Sequence, residues 1–139
     1  MIETLDEHYE GLRLRVAAMR AACRDGAPDP VRLSHARHRL MTASLDRSRF
    51  LKETVYPALL GTGIDGIAAA VETLDRELSR HRADVSRHVS TWTPDRIGAD
   101  WTGYRAASAR LMRAVEDRMR REQAVLMPIL AALHTPIDA

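Results

Sequence analysis

Much of what small chains use to cross-link, bend or stiffen themselves is scarce here. The 139 residues include one cysteine, Cys23. No intramolecular disulfide can form, which fits a reducing compartment. Aromatic residues make up 4% of the chain, so any core must be packed by aliphatic side chains. Lysine is almost missing: Lys52 stands alone among the arginines. The formal net charge is +2 and the arginines are interleaved with acids. That dispersal describes solvated helix faces and gives no nucleic-acid footprint. No apolar run approaches the ~20 residues needed to span a bilayer. The acidic, amphipathic start "MIETLDEHYE" lacks the pattern of a signal peptide. A soluble, cytoplasmic protein is expected.

Alanine, leucine and arginine dominate what is present, and these are strong helix formers. Breakers cluster at Asp25–Pro30, at Gly61–Gly66 and, less regularly, over Ser90–Gly103. Between them lie four helical segments, roughly 2–24, 31–59, 65–90 and 101–133, with no strand-like alternation. Two of the three connections are short. The expectation is an all-α, up-down-up-down antiparallel four-helix bundle forming a single domain over 1–139.

Each segment carries a stripe at helical spacing. The first runs Leu5, His8, Leu12, Val16, Met19, Cys23. The second runs Leu33, Leu40, Ser44, Ser48, Leu51, Val55. The third runs Ile67, Val71, Leu74, Leu78, His81, Val85, His88, and the fourth Tyr104, Leu111, Val115, Met119, Glu122, Leu126, Leu130. Polar residues interrupt these stripes, and a buried polar group needs a partner. Folding each segment back about its turn brings His8, Ser48, His81 and Met119–Glu122 to one level. Two histidines and a carboxylate at one level inside a bundle is how such folds build metal sites. A satisfied core histidine and a Glu–Arg pair would read the same way in sequence.

One feature occurs twice. "RMRREQAVLMPIL" (Arg118 to Leu130) and "RSRFLKETVYPAL" (Arg47 to Leu59) share a layout in which Arg47 matches Arg118 and Pro57 matches Pro128. An interior helical proline costs ~3 kcal/mol, so a repeated one is an architectural signature. With "EHYEGL" around His8 and "SRHRADV" around His81, the endings "VYP" and "LMP" resemble the hemerythrin-like (HHE cation-binding) domain family. The resemblance spans nearly the whole chain. It implies a four-helix bundle with a non-haem di-iron centre held by histidines and carboxylates, in proteins that bind or respond to oxygen, nitric oxide or iron.

The departures from that pattern matter as much. The family's His-xxx-Glu pairs would fall at Arg47–Leu51 or Ser48–Lys52, and at Arg118–Glu122 or Met119–Gln123. Of the expected ligands only His8, His81 and Glu122 remain, and Arg47, Ser48, Lys52, Arg118 and Met119 stand at the replaced positions. Three ligands cannot hold two irons, so an intact di-iron centre is not expected. His88 lies two turns from His81, about 10 Å along the axis, and is only a secondary candidate. The new cations repel a metal and offer Glu122 an ion-pair partner, Arg or Lys.

Three readings follow. The first is a non-enzymatic sensor, regulatory or interaction module without an intact metal centre, working as a monomer or homodimer with an unknown protein partner. The second is a reduced or mononuclear iron site built from His8, His81 and Glu122. The third is haem or small-ligand binding between the helices. His35 and His38 are spaced to chelate on a helix surface, but arginines flank them. His134 belongs to the tail, Trp92 and Trp101 are placed to seal one end, and no nucleophile–base or phosphate-loop motif occurs.

Overall fold

The computed structural model describes residues 1–134; the side chain of His134 and the segment 135–139 lie outside the described residues. The chain is all-helical, with no strand among the described residues. The elements are α1 (Ile2–Ala22), α2 (Pro30–Phe50), a π-helical turn (Leu51–Val55), α3 (Tyr56–Leu60), α4 (Ile67–Thr91), α5 (Pro94–Ala99) and α6 (Trp101–His134). No helix among the described residues is long and apolar enough to cross a membrane.

Helix starts follow the local chemistry. The Asp29 carboxylate accepts the Arg32 backbone N–H at 3.1 Å with Pro30 in the first turn. Thr93 does the same for Arg96 at 3.3 Å ahead of Pro94. A side-chain oxygen satisfies an orphan N–H, and proline has none to orphan. Gly66 leads into α4 at φ +86°, a conformation that favours glycine. The third connection therefore holds a short helix, α5, where the sequence suggested an irregular loop.

α1 packs on α2 and α6, α4 packs on α3 and α6, and α5 packs on α6. One apolar core draws on all of them. In α1 the buried residues are Leu5, Tyr9, Leu12, Val16, Met19 and Ala22. The expected His8 and Cys23 are thus displaced by their neighbours Tyr9 and Ala22. In α4 burial is complete only from Ile67 to Leu78. Beyond it His81, Val85, His88 and Val89 are half-buried, and clefts lie between this half of α4 and α2.

The two prolines are accommodated differently. Before Pro57 the helix widens into the π turn, where the Tyr56 N–H bonds the Leu51 carbonyl, five residues back. Pro128 stands inside the continuous α6. Both prolines face solvent. A π-helical insertion is one of the few ways a helix relieves a disruption of its hydrogen-bond ladder.

Candidate functional site

Among the described residues, five polar ones are buried: Arg47, Ser48, Ser108, Arg118 and Glu122. Three of them meet at one level. The Glu122 carboxylate is 0% exposed. Its Oε2 accepts from the Tyr9 hydroxyl at 2.8 Å and from Arg47 Nη1 at 2.9 Å. Its Oε1 lies 3.9 Å from Arg118 Nη2, an ion-pair distance with no hydrogen bond. Arg118 in turn donates to the Leu74 carbonyl at 2.7 Å and to Glu77, which also pairs with Arg121. α1, α2, α4 and α6 are tied through this one carboxylate and its arginines.

The local logic is simple. Arg47 and Arg118 occupy core-facing helical positions, so their guanidinium groups cannot reach water. A charge taken from water is tolerable only when paired and hydrogen-bonded. Glu122 supplies the charge and Tyr9 completes the acceptor's geometry. Charge-assisted bonds of this kind are among the strongest in proteins. Burial, with the Glu122 charge beside it, pushes the phenol pKa of Tyr9 well up, and that of Tyr56 likewise. Both stay protonated hydroxyls at any ordinary pH.

His81 lies on the α4 side of this layer. Burial first, then the positive charges of Arg47 and Arg118, lower its pKa to about 4. Its imidazole is neutral at physiological pH, and its Nε2 is buried without a hydrogen-bond partner. The Arg47 and Arg118 Nε atoms, the Tyr56 hydroxyl and Glu122 Oε1 are also unpartnered. Unsatisfied groups at this density are unusual in a native core, where nearly all buried polar atoms are paired.

The other sequence candidates sit as follows. His8 does not take the interior position: it is half-buried with its ring 5.1 Å from Phe50, while Tyr9 points to Glu122. A four-residue step from Leu5, instead of three, identifies Tyr9 in the sequence. Lys52 is exposed and lies 3.6 Å from Asp75, so the partner of Glu122 is arginine and not lysine. Met119 is a core residue and Ser48 is buried beside Arg47. His88 stacks near Tyr104 at 5.9 Å, apart from the layer; burial and then Arg37 and Arg110 lower its pKa. His35 and His38 are exposed. Trp92 and Trp101 both pack on Tyr104 at one end of the core, and Trp101 donates to the Asp25 carbonyl at 2.9 Å.

The donor set does not fit a metal. Among the described residues no three His, Cys, Asp or Glu side chains come together so as to hold an ion, and His8, His81 and Glu122 are not gathered. The buried Glu122 carboxylate already accepts from Arg47 and Tyr9, and two guanidinium groups stand where a dication would be repelled. Compared with known proteins, the chain matches no family model, no curated protein and no solved structure.

Proposed function

We propose that the chain is a divergent hemerythrin-like domain, an up-down-up-down four-helix bundle, whose metal centre has been replaced by an ion-pair network. In this reading it is not an enzyme. It acts as a sensor, regulatory or interaction module. The observation that carries the proposal is Glu122, the carboxylate remaining in the family's pattern, held by Arg47 from one of the family's replaced ligand positions. Arg118, the matching replacement on α6, stands on the other oxygen. The network does mechanically what a metal does in such a bundle: it links the helices through a shared polar centre.

The test has two arms. Protein expressed with iron supplied should contain no stoichiometric metal and show no visible absorption. Two equivalents of iron with an oxo-bridged charge-transfer band would sink the metal-free reading. The triple variant Arg47→His, Leu51→Glu, Arg118→His restores both His-xxx-Glu pairs. If the chain is a hemerythrin-like bundle, that variant should gain iron binding. A folded variant that takes up no iron counts against the family assignment.

A further inference from the structure

Beyond Leu78, α4 is only half-buried, and the space between it and α2 is not filled by the chain. A cleft of about 250 Å³ lies there, with Arg47, Ser48 and His81 among its lining residues. Met41, Leu45, Val85 and Val89 make its apolar walls. Arg47 is 1% exposed and spends Nη1 on Glu122, yet its Nε has no partner. His81 Nε2, lining the same cleft, has none either. A buried donor without an acceptor is costly. Two such nitrogens beside one cleft mark a place where an acceptor from outside would be bound strongly.

The charge selects the acceptor. Arg47 and Arg82 line the cleft, and Arg47 together with Arg118 presses His81 into its neutral form. No carboxylate stands among the cleft's lining residues, and the nearby acids are already taken, Glu122 by Arg47 and Glu77 by Arg118 and Arg121. An anion is favoured and a cation is repelled. The walls select the remainder. Met41 and Leu45, one turn apart on α2, line the cleft and are 40% and 46% exposed. At Met41 and Val89 the cleft continues into a second one of about 400 Å³, lined by Leu33, Trp92 and Ile97 among others. A linear apolar tail fits that rail, whereas a small inorganic anion would leave it bare.

We infer that the α2–α4 cleft binds a linear aliphatic carboxylate, its head on Arg47 and His81 and its tail along Met41, Leu45, Val85 and Val89. This rests on the metal-free reading, since the head needs both nitrogens free of a metal. Pockets of this kind are mainly apolar with a few polar groups that fix orientation. The acid contributes two acceptor oxygens to Arg47 Nε and, in the tautomer protonated there, to His81 Nε2.

Isothermal titration of the purified chain with octanoate tests the inference. Octanoate should bind with one site per chain, acetate should give no heat, and octanol should bind at least tenfold more weakly. Leu45→Glu, at an exposed rim position, should keep the fold and weaken octanoate at least tenfold by charge repulsion. His81→Phe should weaken it several-fold, and Leu14→Glu on α1 should leave it unchanged. The inference is overturned if metal-free protein takes up no octanoate below its micelle limit, or if octanol binds as well as octanoate. An unaffected Leu45→Glu variant overturns it too. So does one ligand per two chains, which would make the groove an interface between copies. The two proposals fail separately: iron in the purified protein sinks the first, while metal-free protein that ignores octanoate overturns only the second.

Discussion

The two proline-ended stretches align position by position, and two of their differences shape the interior. Arg47 and Arg118 are both buried, at 1% and 8% exposure, and Leu51 and Glu122 are both at 0%. The positions are therefore equivalent in depth, yet one holds an aliphatic side chain and the other a carboxylate. The backbone also differs, widening to a π turn at Leu51–Val55 while α6 runs on through Pro128. Two arginines thus converge on one acid. Tyr9 and Glu77 supply the remaining partners, from helices outside the repeat. The difference teaches that the first stretch brings an arginine but no acid to the layer, and that His81 and the neighbouring cleft lie on the arginine side.

Erasing the chemical difference should have the largest effect. Glu122→Leu puts leucine at this position in both stretches and strands Arg47 and the Tyr9 hydroxyl in the core. Breaking a buried ion pair from one side costs about 3–5 kcal/mol, read as a lower denaturant midpoint. The double variant Arg47→Met, Glu122→Leu should recover most of that loss, because apolar replacement of a whole buried pair is often neutral or better.

Acid should probe the arginine side of the layer next. His81 has a folded pKa of about 4 against an ordinary value of 6.5. Between those values the unfolded chain holds a proton that the folded chain lacks, so stability falls as pH drops through that window. Each pH unit is worth about 1.4 kcal/mol, and for this half-buried ring the whole step is about 2–3 kcal/mol. Urea midpoints measured from pH 7 to pH 4 should show the step, and His81→Gln should lack it.

The backbone difference predicts a smaller asymmetry. Pro128→Ala returns an N–H to an uninterrupted helix and removes the ring's clash with the preceding turn. A gain of about 1–2 kcal/mol is expected after the unfolded chain's added freedom is deducted. Pro57→Ala, where the π turn has already absorbed the ring, should change the thermal midpoint little. Equal gains from the two would mean the π turn relieves nothing. The smallest effect belongs to Lys52→Gln: its partner Asp75 is 3.6 Å away and both are exposed. A change within about 0.5 kcal/mol is expected for such a pair, although Lys52 sits in the same repeat.

Helix content, segment ends and most core positions were legible in the sequence because they are local. Asp29–Pro30 marks a helix start through capping chemistry that needs no distant partner. Thr93–Pro94 carries the same signal, but within a stretch whose breakers suggest an irregular loop in place of α5. The stripe from Ile67 to Leu78 is buried as its spacing requires. The polar layer was legible in level but not in membership. Placing His8, Arg47 and His81 at one level follows from two short turns and equal rise per residue, whereas the level of Glu122 depends on where the longer third connection bends. Choosing Tyr9 over His8, or Arg47 over Lys52, follows from neither. A phase error of one residue turns a side chain by about 100°, and the π turn shifts the phase further within the second segment.

The sequence by itself determined an all-helical chain with aliphatic stripes, one cysteine, and two arginines at matching positions of a repeated proline-ended stretch. Helical periodicity and composition suffice for that, since both act over a few residues. Tertiary structure alone decided that Arg47, Tyr9 and Arg118 share a single carboxylate, and that Lys52 stays in solvent. It also decided that α4 is only half-buried beyond Leu78, with a cleft between it and α2 lined by Arg47 and His81. The reason is physical: an ion pair spanning 75 residues of sequence exists only where packing has brought two helices together. The desolvation that gives such a pair its strength is a property of everything packed around it.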